Sequence, residues 1–180
     1  KQQLFQKIEE YRTPETIVSS NTSGIPINKM IEGRSDDFCT HFCGTHFFNP
    51  PRYLKLLEII PSTKTSTELI SFLMHYGEKF LGKTTVLCKD TPAFIANRIG
   101  VAGIAALFKL SETLDMSVEE IDSLTGPIIG RPKSATFRTS DLVGLDTLNS
   151  VAQGVYNNCK NDEQRNIFQL PLFITKMLVM

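Results

Sequence analysis

The sequence predicts an α/β unit followed by an all-helical unit. Before residue 90, short apolar runs that indicate buried strands alternate with segments of helical periodicity, which is the rhythm of an open α/β sheet. After residue 90 no convincing strand pattern occurs, and helix-capping signals recur. We therefore assign residues 1–90 to the α/β unit and residues 91–180 to the helical unit.

The charge and composition exclude several kinds of partner. Lys plus Arg and Asp plus Glu both number 19, so nothing favours binding to nucleic acid or to an anionic membrane surface. The longest apolar run, 99–110, contains Lys109 and is too short to span a bilayer. The four unevenly spaced cysteines are typical of reduced thiols, so we expect a cytoplasmic protein without a disulfide framework.

The first elements of the α/β unit follow from apolar periodicity. Residues 2–11 have the pattern of an amphipathic helix with Leu4, Phe5 and Ile8 on its inward face. Residues 16–20 are predicted to form a short buried strand. The polar residues after it lie beyond the carboxyl end of that strand, which is where open α/β sheets bind ligands. A short helix and then a surface loop are predicted next, at residues 25–31 and 33–37.

Two further strands enclose a rigid turn. Strand patterns cover residues 40–48 and 56–60. The segment Asn49-Pro50-Pro51 between them can neither be helical nor pair in a central ladder, because proline fixes φ and lacks the donor. We expect this rigid turn to fix the Asn49 side chain in an orientation that faces a ligand.

The last helix of the α/β unit is predicted over residues 65–81. A capping box, Thr65-Ser66-Thr67-Glu68, marks its start, and Gly82 is expected as the C′ residue. A short strand at 85–88 completes the sheet. The inward-facing residues of this helix are expected to be Leu69, Ile70, Leu73, Tyr76 and Phe80.

The helical unit opens with a long apolar helix predicted over residues 93–114. Thr91 is expected to cap it, with Pro92 at its first position. Gly100 and Gly103 predict close approach to neighbouring helices. Later helices are predicted over residues 117–124, which a capping box opens, 134–143, 145–157 and from Pro171 onwards.

The strongest candidate for chemistry is the pair His46 and Glu58. Histidine is the usual proton shuttle near neutral pH. A Glu that shares a strand face with Leu56 and Ile60 is expected to be desolvated, and a nearby imidazole is a fitting partner. The alternative is that His46 is a satisfied structural histidine and that Glu58 faces solvent.

Two other polar groups have competing interpretations. Four potential zinc ligands lie within eight residues: Cys39, His41, Cys43 and His46. Structural zinc sites usually draw on two ligand pairs from separate segments, so we predict no metal site. Asn97 lies among apolar residues, and a buried amide needs partners. It either caps a neighbouring loop or donates a hydrogen bond into a ligand cleft.

Three motifs in order resemble the L-3-hydroxyacyl-CoA dehydrogenases of fatty-acid β-oxidation. They are His46-Phe47-Phe48-Asn49-Pro50 followed by Glu58, the segment Ser20-Asn21-Thr22-Ser23, and the segment Lys89–Arg98. The segment Lys133-Ser134-Ala135-Thr136 replaces the Met-Gly-Pro turn that is more usual in this family. Together with the residues after Asn49, this segment resembles the bacterial long-chain, multifunctional branch. Ala93 stands where many members have Gly, which on a helix is a mild change.

The resemblance implies the C-terminal part of a Rossmann-type NAD-binding domain followed by a helical 3-hydroxyacyl-CoA dehydrogenase domain. It implies NAD as cofactor, an acyl-CoA thioester as substrate in the cleft between domains, and it is compatible with a homodimer through the helical domain. His46 would be the catalytic base and Glu58 would orient it. The implied cofactor-binding residues are Ser23, Asn49 and Lys1, and the implied substrate-binding residues are Ser23 and Asn97.

The chain is expected to be a piece of a larger protein. It begins inside a helical pattern without Met, and it contains no Gly-x-Gly-x-x-Gly turn, with which a dinucleotide-binding fold normally opens. Alone it is expected to be inactive. The alternatives are a non-catalytic acyl-CoA-cleft or dimerisation module, and a β-hydroxyacid dehydrogenase that acts on free acids.

Overall fold

The computed structural model describes residues 1–178 and contains two compact units, Lys1–Ile95 and Ala96–Met180. The first unit is α/β and the second is helical, as the sequence predicts. The elements of the first unit are α1 (Gln2–Tyr11), β1 (Val18–Ser20), α2 (Ile27–Met30), α3 (Asp36–Thr40), β2 (Phe42–Phe47), β3 (Leu56–Pro61), α4 (Thr67–Lys79) and β4 (Thr84–Leu87).

The four strands form one sheet in the order β1-β2-β3-β4. The β1–β2 and β3–β4 pairs are parallel, and the central β2–β3 pair is antiparallel. Both faces of the sheet are covered, which explains the nearly continuous burial of β2 and β3. Phe42 and Ile60 pack into one apolar cluster, and Leu57 and Ile59 pack into the cluster on the opposite face.

Three expectations about helices in this unit need correction. Leu4 was expected inward but is 58% exposed, so Phe5 alone is the buried residue of α1. The expected loop at 33–37 contains the start of α3, because the Ser35 side chain accepts a hydrogen bond from the Phe38 N–H and caps a helix there.

The side of α4 that faces the sheet also differs from the prediction. Tyr76 and Phe80 are exposed and stack on each other instead of facing inward. The reason is Gly77, which is buried: a Cβ there would meet Thr85 at 2.7 Å and Leu57 at 3.0 Å. The helix therefore contacts the sheet at Gly77, and a pattern of apolar side chains does not reveal this because glycine has no side chain.

The segment before the long helix is a turn and not the first helical turn. Phe94 N–H donates to Thr91 O at 3.0 Å, and Ala93 has φ +62°, which are features of a type II turn with proline in its second position. Phe94 follows with φ +50°. The predicted start at Ala93 is wrong, and an Ala in place of Gly here is not a mild change, because L residues avoid this conformation.

The second unit is entirely helical among the described residues. Its helices are α5 (Ala96–Leu114), α6 (Val118–Thr125), α7 (Phe137–Val143), α8 (Leu145–Asn158) and α9 (Leu172–Met177), with short 3-10 helices at Pro127–Ile129 and Arg165–Phe168. The predicted capping box is confirmed: Ser117 and Glu120 exchange both hydrogen bonds. The last two residues of the predicted tail helix lie outside the described part of the chain.

Two further details of this unit depart from the sequence prediction. Helix α7 begins at Phe137 and not at Ser134, because the carboxylate of Asp122 accepts the N–H groups of Thr136, Phe137 and Arg138. No atom of the described chain comes within 4 Å of a Cβ built on the α5 glycines 100 and 103, so the expected close helix approach is absent there. No helix among residues 1–178 has the length and apolar character needed to cross a membrane.

Candidate active site

The side chains of His46 and Glu58 meet because of the register of the central strand pair. His46 of β2 lies opposite Glu58 of β3 in the antiparallel ladder, so both side chains project from the same face. Nδ1 of His46 lies 2.7 Å from Oε2 of Glu58, and the two residues are 5% and 0% exposed. The predicted contact between them is confirmed, and Glu58 does not face solvent.

This geometry assigns chemistry to each imidazole nitrogen. A carboxylate on Nδ1 favours the tautomer that carries its proton there, which leaves Nε2 as the nitrogen with a lone pair. Nε2 can therefore accept a proton from an alcohol, and the carboxylate stabilises the imidazolium that results. The arrangement has the components of a general base.

Two aromatic rings fix the imidazole plane. The ring of Phe48 lies 4.5 Å from the His46 ring centroid, and the ring of Phe94 lies 5.7 Å away in an edge-on arrangement. Phe94 is buried, and the positive-φ turn described above directs it here. The imidazole is thus held by one hydrogen bond and two ring contacts.

The carboxylate of Glu58 is held by more than the imidazole. Besides the contact with His46, the Ile95 N–H donates to Oε1 at 3.1 Å. Burial, followed by the charge of Glu58, raises the pKa of the Cys88 thiol to about 12. The sequence analysis gave no role to Phe94 and Ile95, although both lie in the third motif, because the contact of Phe94 with His46 and that of Ile95 with Glu58 depend on tertiary packing.

Polar residues follow the carboxyl ends of β1 and β2. Strands β1 and β2 are parallel, so their carboxyl ends lie at one edge of the sheet, where open α/β sheets bind ligands. Asn21 ties the two ends together, because its Oδ1 accepts a hydrogen bond from the Phe47 N–H at 2.9 Å. The Lys1 ammonium lies 3.4 Å from the Ser20 hydroxyl at this edge.

The other predicted site residues occupy distinct places. Ser23 is exposed three residues beyond β1, and Asn49 is exposed two residues beyond β2, next to a cis Asn49–Pro50 bond. Asn97 is half-buried on the first turn of α5, in the second unit. Within residues 1–178, no three His, Cys, Asp or Glu side chains converge as metal ligands would.

The fold and the site together define a class of protein. A sheet unit that contains a buried His–Glu pair and is followed by a helical unit is the architecture of an α/β dehydrogenase. The chain belongs to the 3-hydroxyacyl-CoA dehydrogenase family. Residues 1–91 match its NAD binding domain, and residues 94–177 match its C-terminal domain. NAD is therefore the cofactor of the family to which this chain belongs.

Individual relatives agree with this assignment. A "Probable 3-hydroxyacyl-CoA dehydrogenase" of Bacillus subtilis is 53% identical over 99% of this chain and 22% of its own length. One from Deinococcus radiodurans is 47% identical over 91% of this chain and 47% of its own length. The crystal structure of (S)-3-hydroxybutyryl-CoA dehydrogenase PaaH1 from Ralstonia eutropha is 27% identical, with a TM-score of 0.86 over 98% of this chain and 60% of that one. The chain thus spans less than two thirds of each of these relatives.

Proposed function

We propose that the protein oxidises L-3-hydroxyacyl-CoA to 3-ketoacyl-CoA with hydride transfer to NAD, as a step of fatty-acid β-oxidation. The observation that carries the proposal is the buried 2.7 Å contact between His46 Nδ1 and Glu58 Oε2 at the carboxyl-end side of β2. Family membership and the printed name of the Ralstonia enzyme support the substrate class.

The proposed mechanism uses His46 as base and Glu58 as its orienting partner. Bound NAD supplies the acceptor for the hydride that leaves C3 of the substrate. Nε2 of His46 takes the hydroxyl proton in the same step, so the C3–O bond becomes a carbonyl without an alkoxide in a buried site. Glu58 stabilises the imidazolium that forms. In the reverse reaction the imidazolium returns its proton to the keto oxygen.

The remaining predicted residues take binding roles in this proposal. Lys1 and Asn49 contact the cofactor, and Ser23 contacts both cofactor and substrate; the support is their location at or beyond the carboxyl ends of β1 and β2. Asn97 binds the substrate through its side-chain amide. Its support is the motif it shares with Ile95, whose N–H holds Glu58.

We also propose a cytoplasmic location and a homodimer formed through the helical unit. All four cysteines, which lie within the described residues, are free, as in a reducing compartment. The dimer is supported by apolar and small residues at helical spacing along one side of α5, where the large side chains are exposed: Ile99, Gly103, Ala106, Leu110 and Leu114.

The test of the proposed function is His46→Gln in the complete natural protein. With 3-hydroxybutyryl-CoA and NAD, we expect kcat to fall by a factor on the order of 10² to 10⁴, because the base is lost. An exposed histidine of α4 provides the matched control, His75→Gln, which should leave kcat unchanged. Circular dichroism should show the same fold for both variants.

Two outcomes would reject the proposal. Near-normal turnover of His46→Gln would show that His46 is not the base. Equal activity of the native protein on free 3-hydroxybutyrate would favour a β-hydroxyacid dehydrogenase instead. The isolated chain of 180 residues is expected to show no turnover and little affinity for NAD. Micromolar binding of NAD by this chain alone would contradict that expectation.

A further inference from the structure

The turn that precedes helix α5 contacts both members of the His46–Glu58 pair. The Ile95 N–H donates to Glu58 Oε1 at 3.1 Å. The ring of Phe94, which is buried, lies 5.7 Å from the ring of His46. Two consecutive residues of the chain therefore hold the carboxylate and the imidazole, so the position of this turn determines how the pair is oriented.

This turn has a strained backbone. Ala93 has φ +62° and Phe94 has φ +50°, in the left-handed region that L residues avoid. The Phe94 N–H closes the turn by donating to Thr91 O at 3.0 Å. Such a conformation persists only where the surrounding structure holds it. The hydrogen bond from Ile95 to Glu58 holds the C-terminal end of the turn, so the N-terminal end requires an anchor of its own.

The anchor at the N-terminal end is the carboxylate of Asp90, the residue before the turn. Its Oδ1 accepts the Ile27 N–H at 2.8 Å, and its Oδ2 accepts the backbone N–H and the side-chain amide of Asn28 at 2.8 and 2.7 Å. The two backbone donors are the first N–H groups of α2, which have no acceptor inside that helix. Asn28 is fixed in turn, because its Oδ1 accepts the N–H and the hydroxyl of Thr63 at 2.9 and 3.0 Å.

We propose that Asp90 is a positioning residue for the His46–Glu58 pair, because it fixes the start of the turn that contacts both. This inference rests on the proposed function. Asp90 acts through the backbone of the turn. Without its hydrogen bonds, the two positive-φ residues relax to ordinary backbone conformations, and the Phe94 ring and the Ile95 N–H move away from the pair.

The test is Asp90→Ala in the complete natural protein. We expect kcat with 3-hydroxybutyryl-CoA to fall about tenfold, because the base loses its orientation, while KM for NAD and for the acyl-CoA changes less than about twofold. Asp90→Asn keeps one acceptor oxygen and replaces the other by an NH₂ group, which repels the donors of Asn28. We expect this milder variant to lower kcat about threefold, so it decides the matter if the alanine variant fails to fold. A native kcat in either folded variant would overturn the inference.

Relief of the strain separates a positioning role from a general loss of structure. Glycine adopts a positive φ without the cost that alanine bears. If Asp90 holds a strained turn, Ala93→Gly makes the anchor less necessary. We therefore expect the double variant Asp90→Ala/Ala93→Gly to have a kcat about threefold above that of Asp90→Ala. Absence of any recovery would overturn the inference, because it would show that Asp90 stabilises α2 and not the turn.

A second carboxylate that caps a helix provides the matched control. Asp122 also accepts three N–H groups, those of Thr136, Phe137 and Arg138, at 2.7–3.1 Å. Asp122→Ala removes a cap of the same kind from α7, so it should lower Tm and leave kcat unchanged. A fall in kcat equal to that of Asp90→Ala would contradict a positioning role, because it would measure the loss of stability alone.

Hydrogen exchange gives a readout that does not depend on turnover. Mass spectrometry should show faster exchange in the peptide that contains Phe94 and Ile95 for Asp90→Ala, and native exchange there for Asp122→Ala. The reason is that both N–H groups lose their acceptors when the turn relaxes. Unchanged exchange in Asp90→Ala would overturn the inference. Absence of acyl-CoA turnover by the native protein would reject the proposed function instead, and the exchange result would still decide the role of Asp90.

Discussion

At the scale of single residues, the site is organised around a carboxylate that the fold has removed from water. Glu58 lies in the middle of a buried strand, between Leu57 and Ile59, which face the opposite side of the sheet. A buried charge is stable only when it is paired and hydrogen-bonded, and His46 and Ile95 both meet this need. The contact between His46 and Glu58 is therefore also a condition for the stability of the strand.

A second residue-scale feature is the conformation of Ala93. Its φ is +62°, a conformation that costs an L residue about 1–2 kcal/mol and that glycine adopts without this cost. We expect Ala93→Gly to raise the free energy of unfolding by about 0.5 kcal/mol, because the relief of strain exceeds the added chain entropy.

The same substitution inside α5 is the control for that prediction. Ala106→Gly lies in a regular helix interior and should lower the free energy of unfolding by about 1 kcal/mol. Urea unfolding of the complete natural protein measures both changes. Equal destabilisation by the two variants would contradict the positive-φ turn at Ala93.

At the scale of elements, an ion pair ties helix α5 to the segment before the second 3-10 helix. Arg98 contacts the carboxylate of Asp162, and both side chains are largely buried. The hydrogen bond from Arg98 lowers the pKa of Asp162 below its ordinary value, with a contribution from the Gln164 N–H. The interaction joins two elements that are distant in sequence.

This ion pair predicts a pH-dependent contribution to stability. A carboxyl whose pKa is lower in the folded state stabilises the protein above its unfolded pKa, and this contribution disappears as pH falls through the folded value. We therefore expect Asp162→Asn to lower Tm at about pH 6 and to have little effect near pH 2. Differential scanning calorimetry of the complete natural protein measures the difference.

The adjoining exposed acid gives the control for the ion pair. Glu163→Gln should change Tm little at either pH. If Asp162→Asn lowered Tm by the same amount at both pH values, the effect would come from packing and not from the charge.

At the scale of the whole molecule, one side of α5 exposes several large apolar side chains. Ile99 is 68% exposed, Leu110 47% and Leu114 60%, and open space surrounds Gly103 among the described residues. An apolar stripe with a small residue at its centre is suited to a second helix. The proposed homodimer would cover it.

We expect Leu110→Glu to convert the dimer into a monomer, because a charge on this stripe would be buried without a partner. Sedimentation velocity of the complete natural protein measures the association state. Leu142→Glu changes an equally apolar side chain, 73% exposed on α7, and should leave the dimer intact. A native protein that sediments as a monomer at micromolar concentration would reject the dimer.

The sequence by itself determined the order of the elements and predicted that His46 and Glu58 form a pair. Strand patterns around His46 and Glu58 are local, so they predict the two strands, and the face that Glu58 shares with Ile60 predicts its burial. The three motifs were sufficient to predict the family and its cofactor, which the comparisons confirm.

Only the tertiary structure decided which groups surround the carboxylate and where the long helix begins. The Ile95 N–H meets Glu58 through a turn with two positive-φ residues, Ala93 and Phe94. The exposure of Tyr76 likewise follows from the close approach of α4 to the sheet at Gly77. Periodicity describes how one segment repeats, whereas these contacts depend on the register and distance between segments, which no single segment encodes.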